Sequence, residues 1–359
     1  MILPHTNTLI LVLMIAGMFC WGSWANTLKL ARPWRFELYY FDFAFGLLLF
    51  ALLYAFTMGN LGFDGFGFMD SVTNAGKREW LFAVGAGFVF TSGNVFLLAA
   101  ISAAGMAFAF PAALGTALIL GAIVSWADMS GGNALYLWVG CLLMACAILA
   151  DALGYRALGR RRYEMLASAG KGNTRRPTGI QGIVLAIVGG LLLGCFPLLL
   201  RKATVADIGL GPYAVWVFFG AGAMIVTLLV GMLILNLSTQ GEELSIADYF
   251  RATPRQHILG LVGGGLWCTG AVASFVAIYA NTAPGTGGGL PAGATPLGPT
   301  PIYALTQGAA ILAAIWGILA WRETKDGGAE VKLLVALTLI LFAGGVALIA
   351  VSPAIAGVK

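Results

Sequence analysis

Acidic residues are rare in the apolar stretches of this chain, and Asp42 is the one that lies clearly inside a predicted membrane-spanning segment. A charge in the hydrocarbon of a bilayer costs about 2.5–3.5 kcal/mol or more, so an acid at that depth is a functional candidate. Its carboxyl group can take up and release a proton, which predicts a proton-coupling role. In the alternative interpretation, Asp42 reaches the membrane interface or pairs with Lys29 or Arg35.

Four uncharged polar side chains also lie within apolar segments. They are Asn26, Asn94, Thr269 and Gln307. A buried polar group without a hydrogen bond is costly, so each must bond to another helix, to water or to a ligand. Amides offer both donors and acceptors, which suits a small polar ligand. For each residue, the alternative is a contact that only joins helices.

Aromatic residues supply flat faces in the same segments. Those predicted to contact a ligand are Trp21, Tyr40, Trp267 and Tyr303. Planar bases stack on such rings, and sugars also pack against them. Tryptophans near the predicted ends of segments, such as Trp34 and Trp138, are instead expected to anchor helices at the membrane interface.

Two pairs of residues are candidates for gating. Pro111 and Pro197 lie inside predicted helices, where proline removes a backbone hydrogen bond and can act as a hinge. Arg322 and Glu323 follow the ninth segment on its predicted cytoplasmic side and can form an inner gate. A base at that position also suits the helix dipole and the cytoplasmic excess of basic residues, which is the alternative interpretation.

The composition argues against a soluble enzyme, a nucleic-acid binder and a disulfide scaffold. Of the 359 residues, 60% are hydrophobic and 10% are charged, and the mean hydropathy is +0.90. Soluble domains carry about 25% charged residues because their surface must be hydrated. The 50 glycines lie within apolar runs, as they do where membrane helices pack closely. The five cysteines have no metal-binding or redox spacing, so no metal or cofactor is expected.

Ten segments are apolar enough to cross a bilayer, for which a helix needs about 20 residues. They are 8–28, 38–57, 80–101, 104–126, 135–153, 179–200, 211–235, 257–280, 299–321 and 332–352. Helices are expected because a backbone in lipid must satisfy its own hydrogen bonds. The predicted fold is therefore an all-α membrane protein with ten transmembrane helices.

Basic residues predict the orientation of these helices. With the N-terminus outside, 15 Lys and Arg residues fall on the inner side and five on the outer side, in agreement with the positive-inside rule. The chain is therefore predicted to be an integral protein of the plasma membrane (cell inner membrane). Both of its termini are predicted to lie on the outer side. The basic stretch 154–178 is predicted to be a cytoplasmic linker between two groups of five helices.

These two groups, 1–153 and 179–359, are predicted to be repeats. The matched positions are Gly22 with Gly194, Gly46 with Gly220, Gly85 with Gly263, and Trp126 with Trp321, at offsets of 172, 174, 178 and 195 residues. The last offset predicts an insertion at about 281–300. Because each group has an odd number of helices, the second copy must be inverted, which is a recurrent build of secondary transporters.

Several motifs are absent from the sequence. It has no Walker A loop, no TVGYG filter, and no HExxH or GxSxG motif. These absences argue against an ATP-driven pump, a potassium channel and an enzyme.

The chain resembles the drug/metabolite transporter superfamily, and most closely its ureide permease group, with the rhamnose and glucose uptake families as relatives. The motifs that carry the resemblance are Cys20–Asn26 (CWGSWAN), Gly93-Asn94, Gly263–Gly270 (GGGLWCTG), Tyr303-Ala304-Leu305 and Trp316–Glu323 (WGILAWRE). Plant ureide permeases also have a larger central loop with a phosphate-loop-like motif, and this chain has neither.

The resemblance implies transport of a small polar metabolite, often with protons. The ureide permease group implies allantoin, uracil or a related nucleobase, whereas the sugar relatives imply rhamnose, glucose or ribose. The expected partners are this substrate, the proton and the lipid bilayer, with no nucleic acid. Glycine-rich faces permit a homodimer without requiring one. The other class of function left open is a membrane subunit that binds a ligand without transporting it.

Overall fold

The structure, a computed structural model, describes residues 1–128, 133–169, 180–205, 208–236, 244–282, 290–291, 295–297 and 299–352. The described ranges contain α-helices and no β-strand. The helices are α1 Asn7–Ser23, α2 Asn26–Leu30, α3 Phe36–Phe56, α4 Phe68–Asn74, α5 Lys77–Ala104, α6 Met106–Asp128, α7 Ala134–Ser168, α8 Gln181–Thr204, α9 Ala214–Asn236, α10 Ile246–Phe250, α11 Pro254–Thr282, α12 Pro299–Leu319 and α13 Gly328–Val351. A 3-10 turn, Lys325–Gly327, precedes α13.

Long apolar helices dominate this part of the chain. Among the described residues, nine helical stretches are long and apolar enough to cross a membrane, and the first of them joins α1 and α2 as Asn7–Leu30. They agree with nine of the predicted segments. The remaining predicted segment, 299–321, contains α12. The apolar part of this helix, Ala304–Leu319, is shorter than the nine candidate spans. The chain is therefore an α-helical, multi-pass membrane protein.

Short polar signals explain where several helices begin. Thr6 caps α1 by accepting a hydrogen bond from the Leu9 amide at 3.2 Å. Asn133 caps α7 in the same way through the Leu135 amide at 3.1 Å. Such caps satisfy amides that have no partner in the first turn of a helix.

Helix α7 is longer than the predicted fifth segment, 135–153. It continues to Ser168, so residues 154–168 of the predicted linker are helical. Alanine, leucine and arginine favour the helix, and they continue it beyond the point where the apolar run ends. The rest of the linker, 170–178, lies outside the described residues.

The predicted insertion, 281–300, begins within the last turn of α11. The Asn281 side chain accepts a hydrogen bond from the Leu297 amide at 2.8 Å and donates one to the Leu297 carbonyl oxygen at 3.1 Å. These two bonds join the two ends of the insertion. Most of the residues between them lie outside the described part of the chain.

Contacts divide the chain into two units. Unit 1 contains 1–92 and 195–309, and unit 2 contains 93–194 and 310–359. Each unit therefore combines helices from both predicted repeats. Within unit 1, α3 packs against α9 and α11, and α1 packs against α11. Within unit 2, α7 packs against α6 and α13.

Glycines mark the closest approaches between helices. A Cβ atom on Gly264 would overlap the carbonyl oxygen of Phe43, and a Cβ atom on Gly87 would overlap that of Phe219. Gly264 follows Gly87 by 177 residues, and Phe219 follows Phe43 by 176 residues. The approach of α11 to α3 therefore uses positions equivalent to those in the approach of α5 to α9.

A second pair of approaches has the same offsets. A Cβ atom on Gly46 would overlap the carbonyl oxygen of Leu261, and one on Gly222 would overlap that of Val84. Gly222 follows Gly46 by 176 residues, and Leu261 follows Val84 by 177 residues. The contacts thus match Gly46 with Gly222, whereas the sequence comparison matched it with Gly220.

A third pair involves α1 and α8. A Cβ atom on Gly17 would lie 3.1 Å from the Gly270 carbonyl oxygen, and one on Gly189 would lie 2.8 Å from the Gly93 carbonyl oxygen. Gly189 follows Gly17 by 172 residues, and Gly270 follows Gly93 by 177 residues. The offset of 172 equals the one predicted from Gly22 and Gly194.

Replacing Gly264 by alanine is expected to destabilise the protein by about 1–3 kcal/mol, because the added methyl group would be forced against the backbone of α3. Thermal unfolding of the purified protein in detergent measures the loss. Gly121→Ala is the matched control, since nothing lies within 4 Å of a Cβ atom at that position. Equal melting temperatures for the two variants would contradict the expectation.

Candidate functional site

Asp42 is buried on α3, at 4% exposure, and side chains from two other helices hold its carboxylate. The Tyr249 hydroxyl on α10 donates to Oδ1 at 2.5 Å. Nδ1 of His257, in the first turns of α11, lies 2.7 Å from Oδ2. We call Asp42, Tyr249 and His257 the Asp42 cluster. It contains the acid predicted for proton coupling and two residues that the sequence analysis did not select.

Local sequence positions the two partners of Asp42. Ser245 and Asp248 form a capping box that starts α10, the helix carrying Tyr249. At the start of α11, Gln256 accepts a hydrogen bond from the Thr253 amide at 2.8 Å and donates one to the Ala31 carbonyl oxygen at 3.3 Å. His257 follows directly, so its ring is anchored near the end of α2.

The partners of Asp42 are not the basic residues named in the alternative interpretation. Arg35 forms an ion pair with Glu37 at 2.6 Å, and Asp42 bonds to Tyr249 and His257 rather than to Arg35 or Lys29. Trp34, expected at the membrane interface, is 8% exposed, and its ring lies 5.1 Å from that of His257. The cluster is therefore covered on one side by an aromatic ring.

The Asp42 cluster is suited to proton transfer. A carboxylate and an imidazole at hydrogen-bond distance can exchange one proton. Burial, followed by the hydrogen bond to Asp42 and the charge of Asp42, raises the pKa of the Tyr249 hydroxyl. Tyr249 therefore stays a hydrogen-bond donor to Asp42.

Trp267 lies at the centre of an aromatic cluster in unit 1. Its ring centroid lies 4.3 Å from that of Phe90, 5.5 Å from that of Phe219 and 5.7 Å from that of Trp216. The Trp21 ring lies 6.2 Å away, and its indole N–H donates to the Trp267 carbonyl oxygen at 3.2 Å. The structure thus brings together Trp21 and Trp267, two of the residues predicted to contact a ligand.

Three members of the aromatic cluster were not predicted. Phe90 and Phe219 lie beside Trp267, and the Phe219 ring is nearly parallel to it, at 4°. Trp216 is 1% exposed, and its indole N–H has no hydrogen-bond partner among the described residues. A buried donor without an acceptor is rare in proteins and suits a polar ligand.

Two predicted binding residues bond within the protein. The Thr269 hydroxyl donates to the Gly265 carbonyl oxygen at 2.8 Å and lies 3.0 Å from the Tyr54 hydroxyl. The Asn26 amide donates to the Ser23 carbonyl oxygen at 2.9 Å, at the break between α1 and α2. These bonds satisfy part of each side chain's hydrogen-bonding capacity.

The remaining predicted binding residues lie on several helices. Tyr40 is buried on α3, with its ring 5.3 Å from that of Phe43, and Asn94 is 1% exposed on the part of α5 that belongs to unit 2. Gln307 is half-buried on α12 and makes no hydrogen bond to the described part of the chain. Tyr303 lies on the same helix, but its side chain is outside the described part.

Glu323 has a structural partner in unit 2. Its carboxylate accepts hydrogen bonds from the Met106 amide at 3.0 Å and the Ala107 amide at 2.8 Å, so it caps α6. Gly105, just before α6, has a φ of +90°, which favours glycine. Arg322 is exposed.

Neither proline predicted as a hinge interrupts its helix. Pro111 lies within α6 and Pro197 within α8. In the described ranges, no three His, Cys, Asp or Glu side chains are grouped closely enough to hold a metal ion.

A second acid lies within a long apolar helix, contrary to the expectation that Asp42 alone does so. Asp151 is 0% exposed and lies midway along α7. The predicted fifth segment ended at residue 153, which put Asp151 near a helix end. Because α7 continues to Ser168, this carboxyl group is buried inside the helix packing of unit 2.

Replacing Asp42 by asparagine is expected to lower the pKa of Tyr249, because the charge of Asp42 and its hydrogen bond raise it. The shift can be measured by an alkaline titration of protein labelled with ¹³C-tyrosine, with Tyr249→Phe identifying the signal. Asp70→Asn, which changes an exposed acid on α4, is the control and leaves the titration unchanged. An unaltered Tyr249 titration in Asp42→Asn would contradict the contact.

No protein-family model matches the chain, and no curated protein matches it. The resemblance to the drug/metabolite transporter superfamily therefore rests on the motifs quoted above and continues as a proposal. The structure shows an α-helical multi-pass membrane protein in which a buried carboxylate contacts a half-buried imidazole and aromatic rings form a buried cluster.

Proposed function

We propose that the chain is a secondary active transporter that moves a small polar metabolite by alternating access. The observation that carries this proposal is the recurrence of the same helix approaches at fixed offsets, as in α3 with α11 and α9 with α5. Two copies of one fold, inverted relative to each other, can expose a central site to each side of a membrane in turn. Receptors and channels rarely need that arrangement.

The proposed architecture is ten transmembrane helices in two inverted repeats, 1–153 and 179–359. The cytoplasmic linker is 154–178, and both termini lie outside the plasma membrane. Contact offsets of 172, 176 and 177 residues support the repeat in its first three helices. The Gly190 approach to Ala113 and the Gly308 approach to Met18 support an offset of 195 residues (113 to 308) for the fourth.

The proposed coupling ion is the proton, and the proposed coupling residue is Asp42. Its support is the burial of the carboxylate on a candidate membrane span together with its contact to His257. A pair of this kind changes charge when it gains or loses one proton. A change of charge in a low-dielectric setting alters how α3 and α11 pack, which links proton binding to conformation.

The proposed substrate is a nucleobase or ureide, such as uracil or allantoin. Support comes from the aromatic cluster around Trp267 and from the indole N–H of Trp216, which has no hydrogen-bond partner among the described residues. Planar amide-containing rings stack on aromatic faces and hydrogen bond through their edges. Because Phe90 and Phe219 cover Trp267 here, a stacked substrate must displace one of these rings.

The direct test is uptake into proteoliposomes of the purified chain. The labelled compounds are uracil, allantoin, rhamnose, glucose and ribose, each with and without an inward proton gradient. Saturable, gradient-driven uptake of a nucleobase or ureide would support the proposal in full. Sugar uptake would contradict the substrate class alone. No flux of any compound through folded, correctly inserted protein would contradict transport and favour a binding subunit.

Replacing Asp42 by asparagine is expected to abolish uptake driven by a proton gradient while leaving substrate exchange intact. Asparagine keeps the size of the side chain but cannot take up a proton. Gradient-driven uptake and counterflow are measured in the same proteoliposomes. Asp70→Asn should behave as the wild type, since Asp70 is exposed on α4. Normal driven uptake by Asp42→Asn would remove this residue from the coupling step.

Replacing Gln307 by alanine is expected to raise the half-saturation concentration for uptake without lowering expression. The amide is half-buried on α12 and, in this proposal, hydrogen bonds to the substrate. Loss of one such hydrogen bond corresponds to about 0.5–1.5 kcal/mol, or roughly a twofold to tenfold change. Thr306→Ala is the control, because the Thr306 hydroxyl already donates to the Ile302 carbonyl oxygen. Equal half-saturation in the two variants would exclude Gln307 from the site.

A further inference from the structure

Among the acids in the described part of the chain, Asp151 has an unusual environment for a carboxyl group. Its side chain is 0% exposed, and neither carboxyl oxygen has a hydrogen-bond partner among the described residues. Asp42, in contrast, is held by a hydroxyl and an imidazole. The two acids therefore differ in the groups available to stabilise a negative charge.

Apolar residues pack against α7 one turn on either side of Asp151. One turn further along α7, a Cβ atom on Gly154 would lie 3.4 Å from both the Leu334 Cβ atom on α13 and the Phe108 ring on α6. Ala147, one turn earlier, is fully buried. Thr338 is the buried polar residue on the facing part of α13, and its hydroxyl donates to the Leu334 carbonyl oxygen.

The described parts of the helices packed against α7 offer no cation near Asp151. Helix α6 has no titratable residue before Asp128, and α13 has none after Lys332, which is exposed near its start. The parts of α5 and α8 in unit 2, 93–104 and 181–194, contain none.

The titratable residues nearest to Asp151 on α7, and those in the 3-10 turn packed against α7, provide no partner either. Cys146 and Arg156 are exposed, and the Tyr155 hydroxyl donates to the Ala103 carbonyl oxygen at 3.2 Å. In the 3-10 turn, Lys325 and Asp326 are exposed. A carboxylate at position 151 would thus be an isolated buried charge.

An isolated buried carboxylate is far less stable than the neutral acid in the same place. The neutral carboxyl group has an O–H donor and remains compatible with apolar surroundings at a smaller cost. We infer that Asp151 is a second proton-binding site, which carries a proton in the described conformation and exchanges it when the packing of α6, α7 and α13 opens to water. Its part in a transport cycle rests on the proposed function, whereas its protonation does not.

Infrared spectroscopy of the purified protein tests this site without any transport assay. At about pH 8, far above the ordinary aspartate value of about 3.9, exposed carboxyl groups are ionised. The wild type should still have the carbonyl band of a protonated carboxyl group. Asp151→Asn should lose that band, Asp151→Glu should move it, and Asp42→Asn should keep it. Absence of the band from the wild type, or its persistence in Asp151→Asn, would overturn the inference.

Hydrogen exchange separates a binding site from a permanently sealed acid. In D₂O the carbonyl band of a carboxyl group shifts once its proton has been replaced by a deuteron. We expect a slow shift in the resting protein that becomes faster when transported substrate is added. A band that never shifts would overturn exchange at this site. A band that shifts in protein without measurable transport would support the proton site and contradict only the proposed function.

Discussion

Close contact between helix backbones is the constraint on which the rest of this structure depends. Helices in hydrocarbon satisfy their own backbone hydrogen bonds and associate mainly by packing, so small residues decide how near they come. Gly260 lies only three residues beyond His257, and a Cβ atom on it would lie 2.5 Å from the Cβ atom of Asp42. Any larger residue there would push α11 away from α3. The contact between Asp42 and His257 is therefore a consequence of apolar packing, which brings the two polar groups within reach.

The same constraint explains why the aromatic cluster is filled. Gly87 and Gly264 bring α5 and α11 onto the backbones of α9 and α3. Large rings then meet where the helices cross, and Trp267 ends with 7% exposure. A ligand can enter such a cluster only if rings move, which requires that helices separate. Tight packing around Trp267 is compatible with alternating access. When the helices separate during a transport cycle, the packing is interrupted and the site becomes accessible.

The sequence predicted most helices because about 20 apolar residues are enough to specify a membrane span. It also selected Asp42 and Trp267, since an acid or a large ring inside such a span is conspicuous from residue type alone. Tyr249 and His257 were missed because they lie 207 and 215 residues from Asp42, and tertiary packing alone decides that they meet. Asp151 was missed for a local reason: hydropathy ends the fifth span at residue 153, whereas the backbone continues as a helix to Ser168.

The two buried acids illustrate how environment decides what a carboxyl group does. At Asp42, the Tyr249 hydroxyl donates a hydrogen bond and the His257 ring lies within hydrogen-bond distance, so a proton can move between groups that are already in contact. At Asp151 no such donors exist among the described residues, and ionisation requires that water or a new partner arrive. Proton exchange at Asp42 therefore has hydrogen-bond partners in the described conformation, whereas proton release at Asp151 requires a change of packing. A group of the second kind links protonation to conformation directly, because its ionised form is incompatible with the closed helices.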